Sequence, residues 1–196
     1  MVQLAGKVAI ITGGGSGIGK AIARAFAAEG CAVVLAARGA ERLAATAAEL
    51  RDATGGVIVD IPTDITDAAQ CRRAAELAGA AFGRIDGLVN SAFSYGNVES
   101  VEQADFEVWK QVYDTNVIGS MQMTLAVVPQ MKAQGGGAIV MINTKDTVKP
   151  SRGHAAYAAS KGGLLVTAKY LATALAPRHI RVNTTPMARS GGDQVQ

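Results

Sequence analysis

Short apolar runs alternate with segments of helical periodicity along the chain, and this alternation limits the possible fold more than any other feature. VAIIT at 8–12, AVVLAA at 32–37, GVIVDI at 56–61, DGLVNSA at 86–92, GAIVMIN at 137–143 and HIRVNT at 179–184 read as strands. Between them lie AIARAFAAEG, closed by Gly30, and a helical stripe of Leu43, Ala47 and Leu50. Further helical patterns cover 67–82, roughly 103–134 with an interruption near its start, and 154–176. Continuous apolar strands separated by helices indicate a parallel sheet covered on both faces. Right-handed crossovers wind such a sheet outward in two directions. The expected class is therefore α/β, a doubly wound parallel sheet. The 196 residues suffice for one domain, 1–196, with no break in composition and no internal repeat. Ligands on such sheets bind beyond the carboxyl ends of the strands, so the turns there hold the candidate functional residues.

The bulk chemistry narrows the classes. With 49% hydrophobic and 18% charged residues, the chain is neither disordered nor fibrous. Its net charge is +3, but Lys and Arg are scattered with no run of five, which argues against a nucleic-acid partner. A phosphorylated small ligand would use the same charge. The two cysteines, Cys31 and Cys71, form no cluster with histidine, so neither a disulfide framework nor a metal site is expected. No apolar run approaches the ~20 residues of a membrane span, and the N-terminus lacks a leader pattern. A cytoplasmic protein without a membrane partner is the default expectation.

The first strand runs into 12-TGGGSGIGKAIA-23, with Gly13, Gly14, Gly15, Gly17 and Gly19 in the turn. Glycine allows positive φ and close approach of backbone to a ligand. The helix that follows turns unpaired N–H groups and a positive dipole end toward a pyrophosphate. Between a first strand and a helix, such a turn is a strong dinucleotide signal. The spacing T-G-x-x-x-G-x-G resembles the short-chain dehydrogenase/reductase family, whose fold is Rossmann-like. The resemblance implies nucleotide contacts for Gly13, Gly15, Ser16, Gly17, Ile18 and Gly19.

The later turns extend it. The second strand ends at Arg38, where an acidic residue would favour NAD through the ribose 2′-hydroxyl. A guanidinium suits a 2′-phosphate instead, so NADP(H) is the favoured cofactor, with NAD(H) the alternative. In 63-TDITD-67 the resemblance assigns Asp64 to the adenine amino group and Ile65 to the adenine face. Capping of the next helix by Asp64 or Thr66 is the structural alternative. In 90-NSAF-93, Asn90 and Ala92 match the family's N-N-A-G, whereas Ser91 and Phe93 depart from it. The Phe93 ring either reshapes the substrate pocket or packs away from it.

Tyr157 and Lys161 stand at i and i+4 of a helix, so phenol and ammonium share one face. A free tyrosine titrates near about 10. A neighbouring Lys⁺ and an oxidised nicotinamide favour the phenolate, which fits Tyr157 for proton exchange with a carbonyl or alcohol oxygen. The resemblance adds that Lys161 bonds the nicotinamide ribose. It also implies a hydroxyl thirteen residues before the tyrosine, where this chain has Thr144 in place of the usual serine. Threonine keeps the donor and adds a methyl that restricts χ1 and occupies pocket space. Ser151 is the nearest other hydroxyl. Asn116, in 114-DTNVIGS-120, would hold a water linked to Lys161. His154 reads as a helix cap or surface residue.

The resemblance covers nearly all of this sequence but not all of the family, whose members continue with a mobile substrate loop, a further helix and a seventh strand. Six strands are expected here, with the usual C-terminal strand absent. The chain is then either truncated or ends with an edge that needs covering. Thr184 or Thr185 would lie near the nicotinamide amide. The leading expectation is an NADP(H)-dependent ketone or secondary-alcohol oxidoreductase, acting on a small molecule and assembled as a homo-oligomer through 103–134 and 154–176. A nucleotide-binding protein with little turnover and an assembly subunit are the alternatives.

Overall fold

The computed structural model describes residues 3–187. Six parallel strands, β1 (Val8–Thr12), β2 (Ala32–Ala37), β3 (Ile58–Pro62), β4 (Gly87–Asn90), β5 (Gly137–Thr144) and β6 (Ile180–Met187), form one sheet in the order β3-β2-β1-β4-β5-β6. The order reverses between β1 and β4, where a crevice opens at the strand ends. This is the expected doubly wound, Rossmann-like arrangement. The run 188–196 lies outside the described residues, and with it most of the expectation about how the chain ends.

Six α-helices and a π-helical segment connect the strands and cover the sheet: α1 (Gly17–Ala28), α2 (Ala40–Thr54), α3 (Ala68–Phe82), α4 (Phe106–Tyr113), the π-helical segment (Asp114–Gly119), α5 (Ser120–Ala133) and α6 (Ala155–Leu175). One core joins α3, α5 and α6 to strand residues Ile10, Val34, Leu88, Ile139, Met141 and Val182. The other joins α1 and α2 to Ile11, Val33, Leu35, Val89 and Ile142. Strand neighbours thus point to opposite faces, and both faces are apolar for most of the sheet. β6 departs from the expected two-sided cover. Ile180 and Val182 are buried, whereas Arg181 and Asn183 between them are exposed.

Local chemistry sets the element ends. α2 and α3 stop at Gly55 and Gly83, both left-handed at φ +65° and +73°, a conformation that costs glycine nothing. The cap of α3 is Asp67, whose carboxylate accepts from the Ala69 N–H at 2.8 Å, a cap worth about 1 kcal/mol. The expected cappers serve the preceding turn: Asp64 Oδ1 accepts from the N–H of Thr66 at 2.9 Å and from its hydroxyl at 2.7 Å. β6 runs three residues past the expected end, through Pro186, which pairs in register with Asn143. A proline is tolerated there because, among the described residues, β6 is the edge strand and no ladder lies on its outer side.

Candidate active site

A groove of about 330 Å³ follows the carboxyl ends of β1, β2, β3 and β4. Its centre is the glycine turn, and Gly13, Gly15, Ser16, Gly17, Ile18 and Gly19 all line it. Gly13 has φ +67°, and a Cβ there would stand 2.9 Å from Ala92 Cα. A Cβ on Gly19 would run into the Gly13 carbonyl, so the helix could not start this close to the strand. Gly17, at φ +52°, has nothing within 4 Å of its missing Cβ. Ser16 caps α1 without a side-chain hydrogen bond, which leaves the first-turn N–H groups to a ligand. This cradle fits a pyrophosphate.

Two residues that the sequence reading did not single out hold the cradle in place. Thr12 Oγ1 accepts from the N–H groups of Ser91 and Ala92 at 3.0 and 3.1 Å, tying the end of β1 to the exit of β4. Thr46 donates its hydroxyl proton to the Gly15 carbonyl at 3.0 Å. Arg38 lines the groove as expected, and Arg42, one helical turn later, lines it too. Arg42 was legible as a second cation four residues on, once a helix was placed there. Thr63, Asp64 and Ile65 form the far end. Gly119 of the π segment lacks the Cβ that would meet Ile65 at 2.8 Å, so that segment presses against this end of the groove. Asn90 is not on the wall. Its amide turns into the core, with Nδ2 3.1 Å from Thr124 Oγ1, and Ser91 and Ala92 form the wall instead.

A second cavity of about 260 Å³ adjoins the groove, and Ile18, Ser91 and Phe93 line both. Thr144, Tyr157 and Lys161 converge on it. Thr144 ends β5, and its Oγ1 accepts from the Asp146 N–H at 3.2 Å. That bond uses a lone pair and leaves the hydroxyl proton to be donated. Lys161 is 2% exposed, and its Nζ donates to the Ile142 carbonyl at 2.8 Å. Desolvation pushes the Lys161 ammonium down to about 8. Its Nζ lies 5.9 Å from the Tyr157 ring centroid. Asn143 staples the end of β5 to α6, donating to the Lys161 carbonyl at 3.1 Å while accepting from the Thr144 N–H at 2.8 Å.

Asn116 sits in the π segment and is fully buried. Its side chain accepts from the Ser94 N–H at 2.7 Å and donates to the Ser94 carbonyl at 2.9 Å and to Ser160 Oγ at 2.8 Å. It therefore pins the loop after β4 to α6. That loop carries Phe93 and Tyr95, whose rings meet edge to face at 4.8 Å. Tyr95 lies 4.5 Å from the Tyr157 ring, so Phe93 belongs to a wall of the pocket and does not pack away. His154 occupies the cap position of α6, buried beside Tyr95 and not on the surface. Ser151 donates to Asp146 at 3.1 Å. Of the threonines near the end of β6, neither Thr184 nor Thr185 lines the pocket, but Met187 does. Among the described residues no cluster could hold a metal ion, and no helix is long and apolar enough to cross a membrane.

A glycine cradle between β1 and α1 thus opens into a pocket with a hydroxyl, a phenol and a buried ammonium. Residues 7–188 match the model of the short chain dehydrogenase family. The chain belongs to this family. It is 41% identical over 185 residues to the D-threitol dehydrogenase of Mycolicibacterium smegmatis, a match covering 93% of this chain and 69% of that enzyme. An NAD⁺-bound xylitol dehydrogenase superposes with a TM-score of 0.94 at 31% identity, over 97% of this chain and 73% of that one. The L-sorbose reductase of Gluconobacter frateurii, solved with NADPH and L-sorbose, superposes with a TM-score of 0.88 at 35% identity, over 93% and 69%. This dehydrogenase family member is thus a relative of oxidoreductases that act on alcohols and carbonyls.

Proposed function

We propose that this family member transfers hydride between NADP(H) and a ketone or secondary alcohol, with Tyr157 as the general acid and base. The observation that carries the reading is the continuity of the two cavities: the wall residues Ile18, Ser91 and Phe93 are common to the nucleotide groove and to the pocket of Thr144, Tyr157 and Lys161. A nicotinamide dinucleotide, when bound, supplies the hydride or takes it back.

In the direction of reduction the carbonyl carbon gains the hydride and its oxygen gains the Tyr157 proton, which leaves a secondary alcohol. Thr144 donates its free proton to the same oxygen and stabilises the charge developing there. Lys161, buried with one carbonyl partner, holds positive charge beside the phenol and favours its ionised form after the proton leaves. Asn116 keeps the loop wall in place through Ser94 and Ser160, and by holding a water linked to Lys161 it would complete a proton relay. Gly13, Gly15, Ser16, Gly17, Ile18, Gly19 and Ala92, which line the groove, would hold the dinucleotide, and Asp64 and Ile65 would receive its adenine. Arg38, just after β2, and Arg42, in the first turn of α2, support NADP(H) over NAD(H), since two guanidinium groups suit a 2′-phosphate and none of their groove neighbours at that end is acidic before Asp64.

The test is a panel of ketones with NADPH or NADH, following the absorbance of the reduced nicotinamide. Tyr157→Phe keeps the ring and loses the proton. It is expected to lower turnover by about 10²–10⁴-fold with cofactor affinity nearly unchanged. Undiminished turnover in that variant sinks the mechanism. Cofactor binding without turnover of any substrate favours the second reading, a nucleotide-binding protein in which Thr144 no longer supports the chemistry.

A further inference from the structure

The geometry points to Asp146 as a specificity-determining residue that selects substrates with a second hydroxyl on the carbon next to the reacting one, that is, vicinal diols and the corresponding α-hydroxy ketones. This rests on the oxidoreductase reading and adds the substrate class to it. Asp146 lines the same pocket as Tyr157 and Thr144, and its backbone N–H bonds the Thr144 hydroxyl at 3.2 Å. The carboxylate is thereby fixed within one short turn of the group that meets the reacting oxygen. Its Oδ1 accepts from Ser151 at 3.1 Å, while Oδ2 has no hydrogen-bond or ion-pair partner among the described residues.

A carboxylate in that place acts in two ways. It accepts a strong, charge-assisted hydrogen bond from a hydroxyl that reaches it. It also penalises a substrate that covers it with hydrocarbon, because a carboxylate stripped of water without a donor is far costlier than a neutral group. An ordinary solvated turn aspartate would do neither, but a substrate at Tyr157 closes this pocket over Asp146. The donor is a hydroxyl and not an ammonium, since Lys161 shares the pocket and repels a second cation. Phe93 and Tyr95, 45% and 42% exposed, line the same pocket. Their ring faces carry negative quadrupole charge and suit the C–H bonds of a hydroxylated chain.

The probe pair is 3-hydroxy-2-butanone and 2-butanone, which differ by one hydroxyl, tested with NADPH on the full chain and on Asp146→Ala and Asp146→Asn. The native protein is expected to prefer the hydroxy ketone in kcat/KM by on the order of 100-fold, as a site built around a substrate hydroxyl rejects the analogue without it. Asp146→Ala should remove most of that preference from both sides, lowering kcat/KM for the hydroxy ketone and raising it for 2-butanone as the desolvation penalty is lifted, with Asp146→Asn in between because its amide oxygen still accepts. A preference that survives Asp146→Ala, or a stronger preference for 3-amino-2-butanone, overturns the assignment. Binding is read separately by the melting temperature of the NADP⁺-saturated protein. A rise with 2,3-butanediol but not with 2-butanol, lost in Asp146→Ala, supports the site even where neither ketone turns over, and that combination overturns only the oxidoreductase reading. A diol-induced rise unchanged by Asp146→Ala overturns the inference.

Discussion

The groove and the pocket beside it are built from different parts of the chain's chemistry. At the groove the backbone is the wall: glycines bring it close, and Thr12 and Thr46 fasten it through carbonyls and N–H groups. At the pocket the side chains are the wall, and the hydroxyl, phenol, ammonium and carboxylate each come from a different place on β5, α6 or the loops. Where the wall is backbone, at Gly13 and Gly19, it tolerates no added side-chain atom but is indifferent to which substrate arrives. A side-chain wall tolerates exchange but changes its chemistry with each exchange. The same cleft is therefore fixed at one end and adjustable at the other.

The harshest way to break this contrast is Gly19→Ala. The new methyl meets only backbone, the Gly13 carbonyl among it, so the helix start has to move. Dinucleotide binding should be lost to titration, and stability should fall by about 1–3 kcal/mol in urea unfolding. Next is the pair Arg38→Ala and Arg42→Ala. Together they should weaken NADPH by on the order of 100-fold and leave NADH nearly unchanged, measured as dissociation constants. An unaltered NADPH to NADH ratio would sink the cofactor preference. At the pocket, Thr144→Ala should cost about 10–100-fold in kcat, whereas Thr144→Ser should stay within threefold or gain, since it keeps the donor and frees the space of one methyl.

The smallest expected effect is on stability against pH. Burial lowers Lys161 from 10.5 to about 8 in the folded chain. Between those values the unfolded chain holds the proton and the folded chain does not. Its contribution therefore becomes more stabilising as pH rises through this window, by roughly 1 kcal/mol per pH unit. Below about 8 the cost of burying the charge is present in full. Lys161→Met removes the titration and keeps the bulk. The stability of the native chain relative to this variant should climb between pH 8 and pH 10 in paired urea melts, and a flat difference would contradict the buried-ammonium account.

The strands and their parallel, doubly wound class were legible because a parallel sheet buried on both faces requires unbroken apolar runs, and VAIIT or AVVLAA fit nothing else as well. The glycine turn was legible for a similar reason, since backbone constraints are written directly in residue type. The long helix around Asn116 was harder. Its periodicity is helical throughout, and nothing in the pattern marks where the repeat widens to the π segment at 114–119. Side-chain direction was harder still. Asn90 sits at the end of β4 beside the groove, yet strand alternation turns its amide inward to Thr124. Asp146 escaped notice because it belongs to no spacing rule: only the folding of the 145–147 turn against Thr144 brings its carboxylate into the pocket. β6 looked shorter than it is because Pro186 reads as a strand breaker until the strand is known to be an edge.

The two hydrogen bonds between the Asn116 side chain and Ser94 both use main-chain atoms of Ser94, its N–H as donor and its carbonyl as acceptor. The loop is thus held at a point that does not depend on the side chains on either side of it. Positions 93 and 95 can change in size and polarity without loosening the attachment, and only a change at Phe93, which lines both cavities, also reaches the edge of the groove. Divergence of substrate range, in evolution or in the laboratory, then needs no invention of a new fold or a new nucleotide site. It needs only different fittings at two neighbouring positions on a fixed mount.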